Sequence, residues 1–145
     1  MKLSTRGRYG VRLMLDLALR AGNAPVSLKE IAARQEISEK YLSNLIPSLK
    51  NAGLVHSVRG SHGGYVLARG LGEITLKDIL LALEGPMCLV ECTERPELCH
   101  RSGDCLVRDI WAEVTGGMLD TLQSFSLESM VQKQAQRECA PAYSI

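Results

Sequence analysis

The sequence has no long hydrophobic run. No stretch approaches the ~18 consecutive apolar residues that a membrane-spanning helix requires, and the opening MKLSTRGRYG lacks the apolar core of a signal peptide. We therefore expect a cytoplasmic protein without a membrane partner. Apolar residues still make up 46% of the 145 residues, which suffices for one folded domain with a core, or for a small domain with an appendage.

The sequence also lacks the motifs of common enzyme classes. It contains no CxxC pair, no glycine-rich nucleotide-binding loop and no evident cysteine–histidine–acid set. These absences argue against an enzyme such as a thiol-dependent oxidoreductase. Internal repeats and low-complexity tracts are missing as well, which excludes a repeat architecture.

Charge is nearly balanced overall but unevenly distributed. Residues 1–70 contain 11 Lys and Arg against 4 Asp and Glu, a net charge of +7, whereas residues 71–145 contain 6 against 12, a net charge of −6. A basic first half favours a polyanionic partner such as double-stranded DNA. The alternative is chance unevenness on a solvated surface.

Helical periodicity predicts three helices in the basic half. The first lies within residues 6–21, and the second follows a capping-box pattern formed by Ser27 and Glu30. Ser38 is the predicted N-cap of the third, whose apolar residues recur at i, i+3, i+4 and i+7 and leave a polar face exposed. The apolar residues are Leu42, Leu45, Ile46 and Leu49.

Two predicted strands, LVHSVRG and GYVLARG, flank the glycine-rich turn GSHGG. Three helices followed by a basic hairpin predict a mainly α fold with a small β-hairpin wing, that is, a winged helix-turn-helix domain over residues 1–85, closed by a fourth helix at 75–85. The third helix would enter a major groove and the wing would reach the backbone or the minor groove. The candidate DNA contacts are Ser38, Lys40, Tyr41, Ser43, Asn44, Arg59, Gly60, Ser61 and His62.

A longer helix is predicted from about residue 106 to residue 125. With little chain left to cover its apolar stripe, a second copy of the same helix is the expected cover, which predicts a homodimer. The alternative is that this helix folds back onto its own winged domain. A short helix would complete residues 106–135, and 136–145 would form a tail. The stripe comprises Leu106, Ile110, Val114, Met118, Leu122 and Phe125.

Four of the five cysteines lie in a segment, residues 86–105, that we call the cysteine loop, and the last three of these four, the loop cysteines, fall within fourteen residues. Cys92, Cys99 and Cys105 are separated by Pro, Gly and charged residues, so burial as small apolar groups explains them poorly. A bound metal would order such a loop, and spacings longer than CxxC favour an iron-sulfur cluster over zinc. A thiol-based sensor is the third possibility. Cys88 is expected to be a packed thiol, and Cys139 to lie in the tail without a role.

Three parts of the sequence together resemble the Rrf family of winged-helix transcription regulators, in particular its IscR-type iron-sulfur members. They are MKLSTRGRYGVRLMLDLAL, ISEKYLSNLIPSLKNAGLVHSVRGSHGGYVLAR and the three loop cysteines. The resemblance implies a homodimer built on the long helix, with a cluster, [2Fe-2S] favoured over [4Fe-4S], on Cys92, Cys99 and Cys105. It implies control of promoters such as those for cluster assembly, with DNA contacts around Lys40 and on Arg59.

The sequence departs from that pattern at three positions. Arg108 stands where IscR-type proteins have a histidine as fourth ligand, and a guanidinium cannot ligate iron. Arg8 stands where a nitric-oxide-sensing relative has an aspartate, and Ser43 stands where the family has an acidic residue. The fourth ligand is therefore open among His100, a carboxylate (Glu91, Glu94 or Glu97) and an exogenous group. A metal-free or thiol-sensing regulator, for example of cysteine metabolism, is the alternative function.

Overall fold

The computed structural model describes residues 2–140 and confirms the mainly α fold with a hairpin wing. Serine or threonine side chains cap the N-termini of five of the six helices in this range, which is why these helices begin where they do. The helices and strands are α1 (Thr5–Leu19), α2 (Leu28–Gln35), α3 (Glu39–Asn51), β1 (Val55–Val58), β2 (Gly64–Leu67), α4 (Leu76–Glu84), α5 (Leu106–Ser124) and α6 (Leu127–Cys139).

The core lies where α1, α2, α3 and α4 meet. Leu13 and Met14 of α1 are fully buried against apolar side chains from every other element of the winged domain. Each fully buried side chain of this size contributes about 1.5–3 kcal/mol relative to an exposed one. The buried partners include Ile31, Leu42, Leu45, Leu49, Leu54, Ile74 and Ile79.

The two strands of the wing pair in antiparallel register, with Val55 opposite Leu67 and Val58 opposite Gly64. The hairpin turns through Gly60, whose φ of 123° is one that side-chain-bearing residues rarely adopt. Gly53, with φ 68°, follows the C-cap of α3 and lets the chain turn directly into β1.

Helix α1 approaches α4 closely at two glycines. A β-carbon built on Gly7 would overlap the Glu84 carboxylate, and one built on Gly10 would overlap the Leu83 side chain. The absence of side chains at these positions allows the N-terminal half of α1 to lie directly on the C-terminal turn of α4. This contact sets the position at which the chain leaves the winged domain for the cysteine loop.

The two C-terminal helices differ in how they are covered. Helix α6 returns to α1, and its Leu127 is fully buried in the core. Backbone hydrogen bonds fix this return, from Leu127 N to Ile74 O (2.8 Å) and from Leu76 N to Phe125 O (2.8 Å). Helix α5 contacts α4 and the start of the cysteine loop but exposes apolar side chains in its first half.

The C-terminal helix is longer than its expected extent. Helix α6 ends at Cys139, four residues past the expected limit at 135, and the Ala140 backbone N–H donates to Gln136 O (3.1 Å) at its C-terminus. Cys139 is therefore an exposed helical residue, and the rest of the predicted tail, 141–145, lies outside the described residues. No helix within residues 2–140 is long and apolar enough to cross a membrane.

Candidate nucleic-acid interface and cysteine loop

Helix α3 presents a polar face to solvent. Its apolar residues are buried in the core, as the periodicity predicted, while Lys40, Ser43 and Asn44 are exposed on the other side. Ser43 Oγ donates a hydrogen bond to Lys40 O (2.8 Å), which places this short hydroxyl against its own helix. Hydrogen-bonding and cationic side chains on an exposed helix face are the groups that contact base edges and phosphates in a major groove.

Two predicted contact residues at the start of α3 also contribute to the structure of the domain. Ser38 Oγ accepts a hydrogen bond from Tyr41 N (3.1 Å) and so caps the helix, and its hydroxyl proton remains available for another acceptor. The half-buried Tyr41 ring packs edge-on against Tyr9 of α1, with 5.6 Å between ring centroids. Substituting either residue would therefore disturb the helix as well as any DNA contact.

The wing projects four predicted contact residues, and all four are exposed: Arg59, Gly60, Ser61 and His62. Lys50 Nζ donates to Ser57 Oγ (3.0 Å), which ties the end of α3 to β1. Arg69 donates to Gly53 O (3.2 Å) and Ala52 O (3.3 Å), the carbonyls at the C-terminus of α3. Neither Lys50 nor Arg69 was predicted from the sequence, because both bonds join residues that are far apart in the local pattern of the chain.

A buried acid joins α1 to α2 behind this surface. Asp16 is 1% exposed and accepts from Arg34 Nη2 (2.7 Å), Arg34 Nε (3.1 Å) and Gln35 Nε2 (3.0 Å). Burial raises the pKa of Asp16, but the hydrogen bonds from Arg34 and Gln35 outweigh it, so the pKa is lowered overall. The ionised carboxylate thus holds α2, the first helix of the helix-turn-helix, against α1.

The cysteine loop consists of three single-turn 3-10 helices, Glu91–Thr93, Pro96–Leu98 and Ser102–Asp104. Cys92, Cys99 and Cys105 are half-buried free thiols, and His100 is exposed. Cys105 is also the residue from which α5 begins. The loop therefore connects the end of α4 to the start of α5 and carries these three thiols along its length.

The donor types in this loop suit an iron-sulfur cluster, since thiolates are its usual ligands. Within residues 2–140, no group of three or more His, Cys, Asp or Glu side chains is gathered closely enough to hold a single metal ion. Arg108 instead donates from Nε to Cys92 O (2.9 Å), so the residue at the expected histidine position fastens the loop backbone to α5.

Cys88 is the remaining thiol of the cysteine loop, and it lies beside Glu94. It is half-buried, and burial together with the nearby Glu94 carboxylate raises the pKa of its thiol. A raised pKa disfavours the thiolate that ligates metals and attacks electrophiles. This supports the prediction that Cys88 is a packed thiol.

The apolar stripe of α5 divides into two parts. Its C-terminal members, Met118, Leu122 and Phe125, are half-buried within the chain, as expected for a helix that folds back onto its own domain. Its N-terminal part is exposed: Leu106 is 74% exposed, and four further residues are 40–58% exposed. Those four are Val107, Ile110, Trp111 and Val114, and the periodicity had not included Val107 or Trp111.

A polar-faced helix beside a basic wing, both held on a small helical core, defines a winged-helix DNA-binding transcription regulator. Residues 3–133 match the family model Rrf2, described as an iron-dependent transcriptional regulator. The chain belongs to the Rrf2 family. The inferred family, the fold and the absence of an enzymatic role are thereby confirmed.

The chain is similar to named proteins that include both IscR and CymR regulators. The chain is 45% identical to Protein rrf2 of Nitratidesulfovibrio vulgaris over 131 residues, covering 90% of this chain and 87% of that protein. The solved structure of IscR from T. potens is 39% identical with a TM-score of 0.80, covering 99% of this chain and 95% of that one. CymR, the global cysteine regulator of B. subtilis, is 40% identical with a TM-score of 0.77, covering 92% and 98%.

Proposed function

We propose that the protein is a cytoplasmic, homodimeric operator-binding regulator whose DNA affinity or site choice is controlled by the cysteine loop. The observation that carries this proposal is the position of the three half-buried thiols, on the one segment that joins the winged domain to the exposed face of α5. A change of loop conformation at this junction acts on both ends, the DNA-binding unit and the dimer contact.

The DNA-binding surface comprises the exposed face of α3 and the tip of the wing. Lys40 and Asn44 are directed away from the core, and Arg59 lies on the hairpin that Lys50 and Arg69 fasten to the end of α3. Because helix and wing are tied together, they engage the duplex as one rigid unit, with base contacts from α3 and phosphate contacts from the wing.

The partner for the exposed half of α5 is a second copy of this helix. Five apolar side chains on adjacent turns form a surface that water solvates poorly, and the residue types match those of buried helix-helix contacts. A two-fold dimer built on this face presents two copies of α3. Half-sites one helical turn apart, about 34 Å, would then fit both copies.

The proposed effector is an iron-sulfur cluster, [2Fe-2S] favoured over [4Fe-4S], on Cys92, Cys99 and Cys105, with His100 a candidate fourth ligand. When bound, the cluster supplies a cross-link whose formation depends on iron and sulfide. The chain's own part is to provide thiolates, keep them half-buried, and release the hold of Arg108 on Cys92 O so that the loop can close. Genes for cluster assembly are the proposed targets.

A second candidate is a metal-free regulator that responds to thiol oxidation or to a protein partner of cysteine metabolism. The contact between Arg108 and the Cys92 carbonyl favours it, because this contact holds the loop without a metal. The similarity to CymR also supports it.

Anaerobic purification distinguishes the two candidates. The cluster proposal predicts visible absorption bands with bound iron and acid-labile sulfide, lost when all three loop cysteines are changed to serine and retained in Cys139→Ser, which removes an exposed thiol elsewhere. A colourless protein whose DNA binding still changes when Cys92, Cys99 or Cys105 is oxidised would support the metal-free candidate instead.

A further inference from the structure

Arg6, in the first turn of α1, hydrogen-bonds two other helices at once. Its Nε donates to Leu83 O (3.0 Å) near the C-terminus of α4, and its Nη2 donates to Ser48 Oγ (2.6 Å) in α3. The side chain is half-buried between them. Among the hydrogen bonds of residues 2–140, no other side chain joins α4 to α3.

The α4 end of this link is the place where the cysteine loop begins. Leu83 lies in the last turn of α4, and the chain enters the loop two residues after Glu84. The same turn is held by α1 through a second contact, since Glu84 Oε1 accepts from Gly7 N (3.0 Å) and from the Ser4 hydroxyl. Carbonyls in the last turn of a helix have no partner within the helix, so Arg6 supplies one for Leu83, with a charge that suits a helix C-terminus.

The α3 end of the link lies in the helix proposed to enter the major groove. Ser48 follows the exposed Asn44 by one helical turn, and Ser48 is half-buried on the side that faces α1 and α4. A guanidinium is planar, and its donors have a fixed mutual geometry. A shift of the Leu83 carbonyl therefore moves or breaks the hydrogen bond to Ser48. An apolar contact at this place is not directional and would not transmit the shift.

We propose that Arg6 is a positioning residue that couples the conformation of the cysteine loop to the orientation of α3. The proposal rests on the proposed function in one respect, namely that the loop is the controlling segment. A loop rearrangement pulls on the last turn of α4, Arg6 passes the displacement to Ser48, and α3 changes its angle to the duplex. Without Arg6 the DNA-binding surface persists but no longer follows the loop.

Two variants separate coupling from binding. Ser48→Ala removes one arm of the link and leaves the bond to Leu83, while Arg6→Gln removes both arms. Arg8→Gln is the matched control: it removes one arginine from a nearby, exposed position of the same helix, whose only side-chain bond is to Thr5 Oγ1 (3.3 Å). Ser48→Ala also guards against a folding defect in Arg6→Gln, because it deletes a single hydroxyl.

The first measurement is the ratio of operator affinities in two loop states. The duplex is one selected by the wild-type protein from a random pool, and the states are metal-stripped reduced protein and protein reconstituted anaerobically with ferrous iron and sulfide. In Ser48→Ala and Arg6→Gln we expect the ratio to fall at least threefold toward one. Arg8→Gln should keep the wild-type ratio, whatever its own affinity. Wild-type ratios in both coupling variants would overturn the proposal.

The second measurement does not depend on a cluster. In metal-stripped Cys139→Ser protein, alkylation of the loop thiols with iodoacetamide should change amide hydrogen exchange within residues 39–51, and this change should vanish in Arg6→Gln. An unchanged α3 after alkylation of the otherwise wild-type chain, or an equal change in all variants, would overturn the coupling. A wild-type affinity ratio of one combined with Arg6-dependent exchange would overturn only the cluster proposal.

Discussion

The winged domain and the first half of α5 are both rich in apolar residues but differ in where those residues lie. Most leucines and all isoleucines of residues 5–85 are buried in one core, which Leu127 of α6 completes, and even the acidic Asp16 in that core is paired. Helix α5 exposes five large apolar side chains, and the preceding loop holds four half-buried thiols. The first region buries its apolar side chains within the chain itself. The second region leaves apolar side chains and thiols available to a partner helix or an effector. The DNA-binding unit is therefore preformed, and control enters through the dimer and effector contacts.

We expect the largest effect from a charge placed on the exposed apolar face of α5. Ile110→Glu places a charge in the centre of the exposed apolar face, where a partner helix would have to bury it. We expect a folded monomer by sedimentation velocity and operator binding at least about 100-fold weaker, because two half-sites no longer bind as one unit.

Ala112→Glu is the matched control for this change. It adds the same charge to α5 at an exposed position about 160° around the helix from Ile110 and Val114 and about 120° from Leu106. The Ala112→Glu protein should remain dimeric. If the Ile110→Glu protein were still dimeric, the exposed face of α5 would not be the dimer interface.

The next effect concerns the buried ion pair that stabilises the winged domain. Asp16→Asn leaves Arg34 without its ionic partner, and because Arg34 is one-third exposed we expect a loss of about 2 kcal/mol rather than the larger cost of a fully buried pair. Urea unfolding at pH 7 measures this loss. Glu36→Gln, an exposed acid beside the same helix, should change stability by less than about 0.5 kcal/mol.

The same residue predicts a pH dependence. Since the pKa of Asp16 is lower in the folded than in the unfolded protein, its contribution is present above the unfolded pKa and is lost as the pH falls through the folded pKa. Wild-type stability should therefore decline below about pH 4 more steeply than that of Asp16→Asn. Parallel curves for the two proteins would contradict the assigned role of the Asp16 carboxylate.

The smallest expected effect comes from removing a single charge, and it is compared between the wing and α6. Arg59→Ala in the wing should weaken operator binding about tenfold and reduce the slope of log K against log salt by about one, because one phosphate contact is lost. Arg137→Ala removes an equally exposed charge from α6 and should leave the slope unchanged. Equal slopes for both variants would remove Arg59 from the phosphate contacts.

Local patterns predicted most of the winged domain. The capping box Ser27–Glu30 occurs as expected, and the apolar period of α3 placed its buried and exposed faces correctly. These features depend on residues close to one another along the chain. For the same reason the candidate DNA contacts on α3 and the wing could be chosen from sequence, and all except the half-buried Tyr41 are exposed.

Contacts between distant segments could not be predicted in this way. The return of α6, with Leu127 bonded to Ile74 O, divides the α5 stripe into a covered and an exposed part, and periodicity alone treated it as one. The sequence also identified Arg108 as a residue that cannot ligate iron. Its bond to Cys92 O depends on the path of the loop over residues 86–105, which no local pattern encodes.

Control by the cysteine loop is tested by comparing operator binding of the wild-type protein with that of the Cys92→Ser, Cys99→Ser, Cys105→Ser triple variant. Each protein is measured anaerobically after iron-sulfide reconstitution and again after metal removal. We predict that the wild-type affinity or preferred duplex changes at least about tenfold between the two states, while the triple variant binds identically in both. Identical behaviour of wild type and triple variant in both states would contradict control by the cysteine loop.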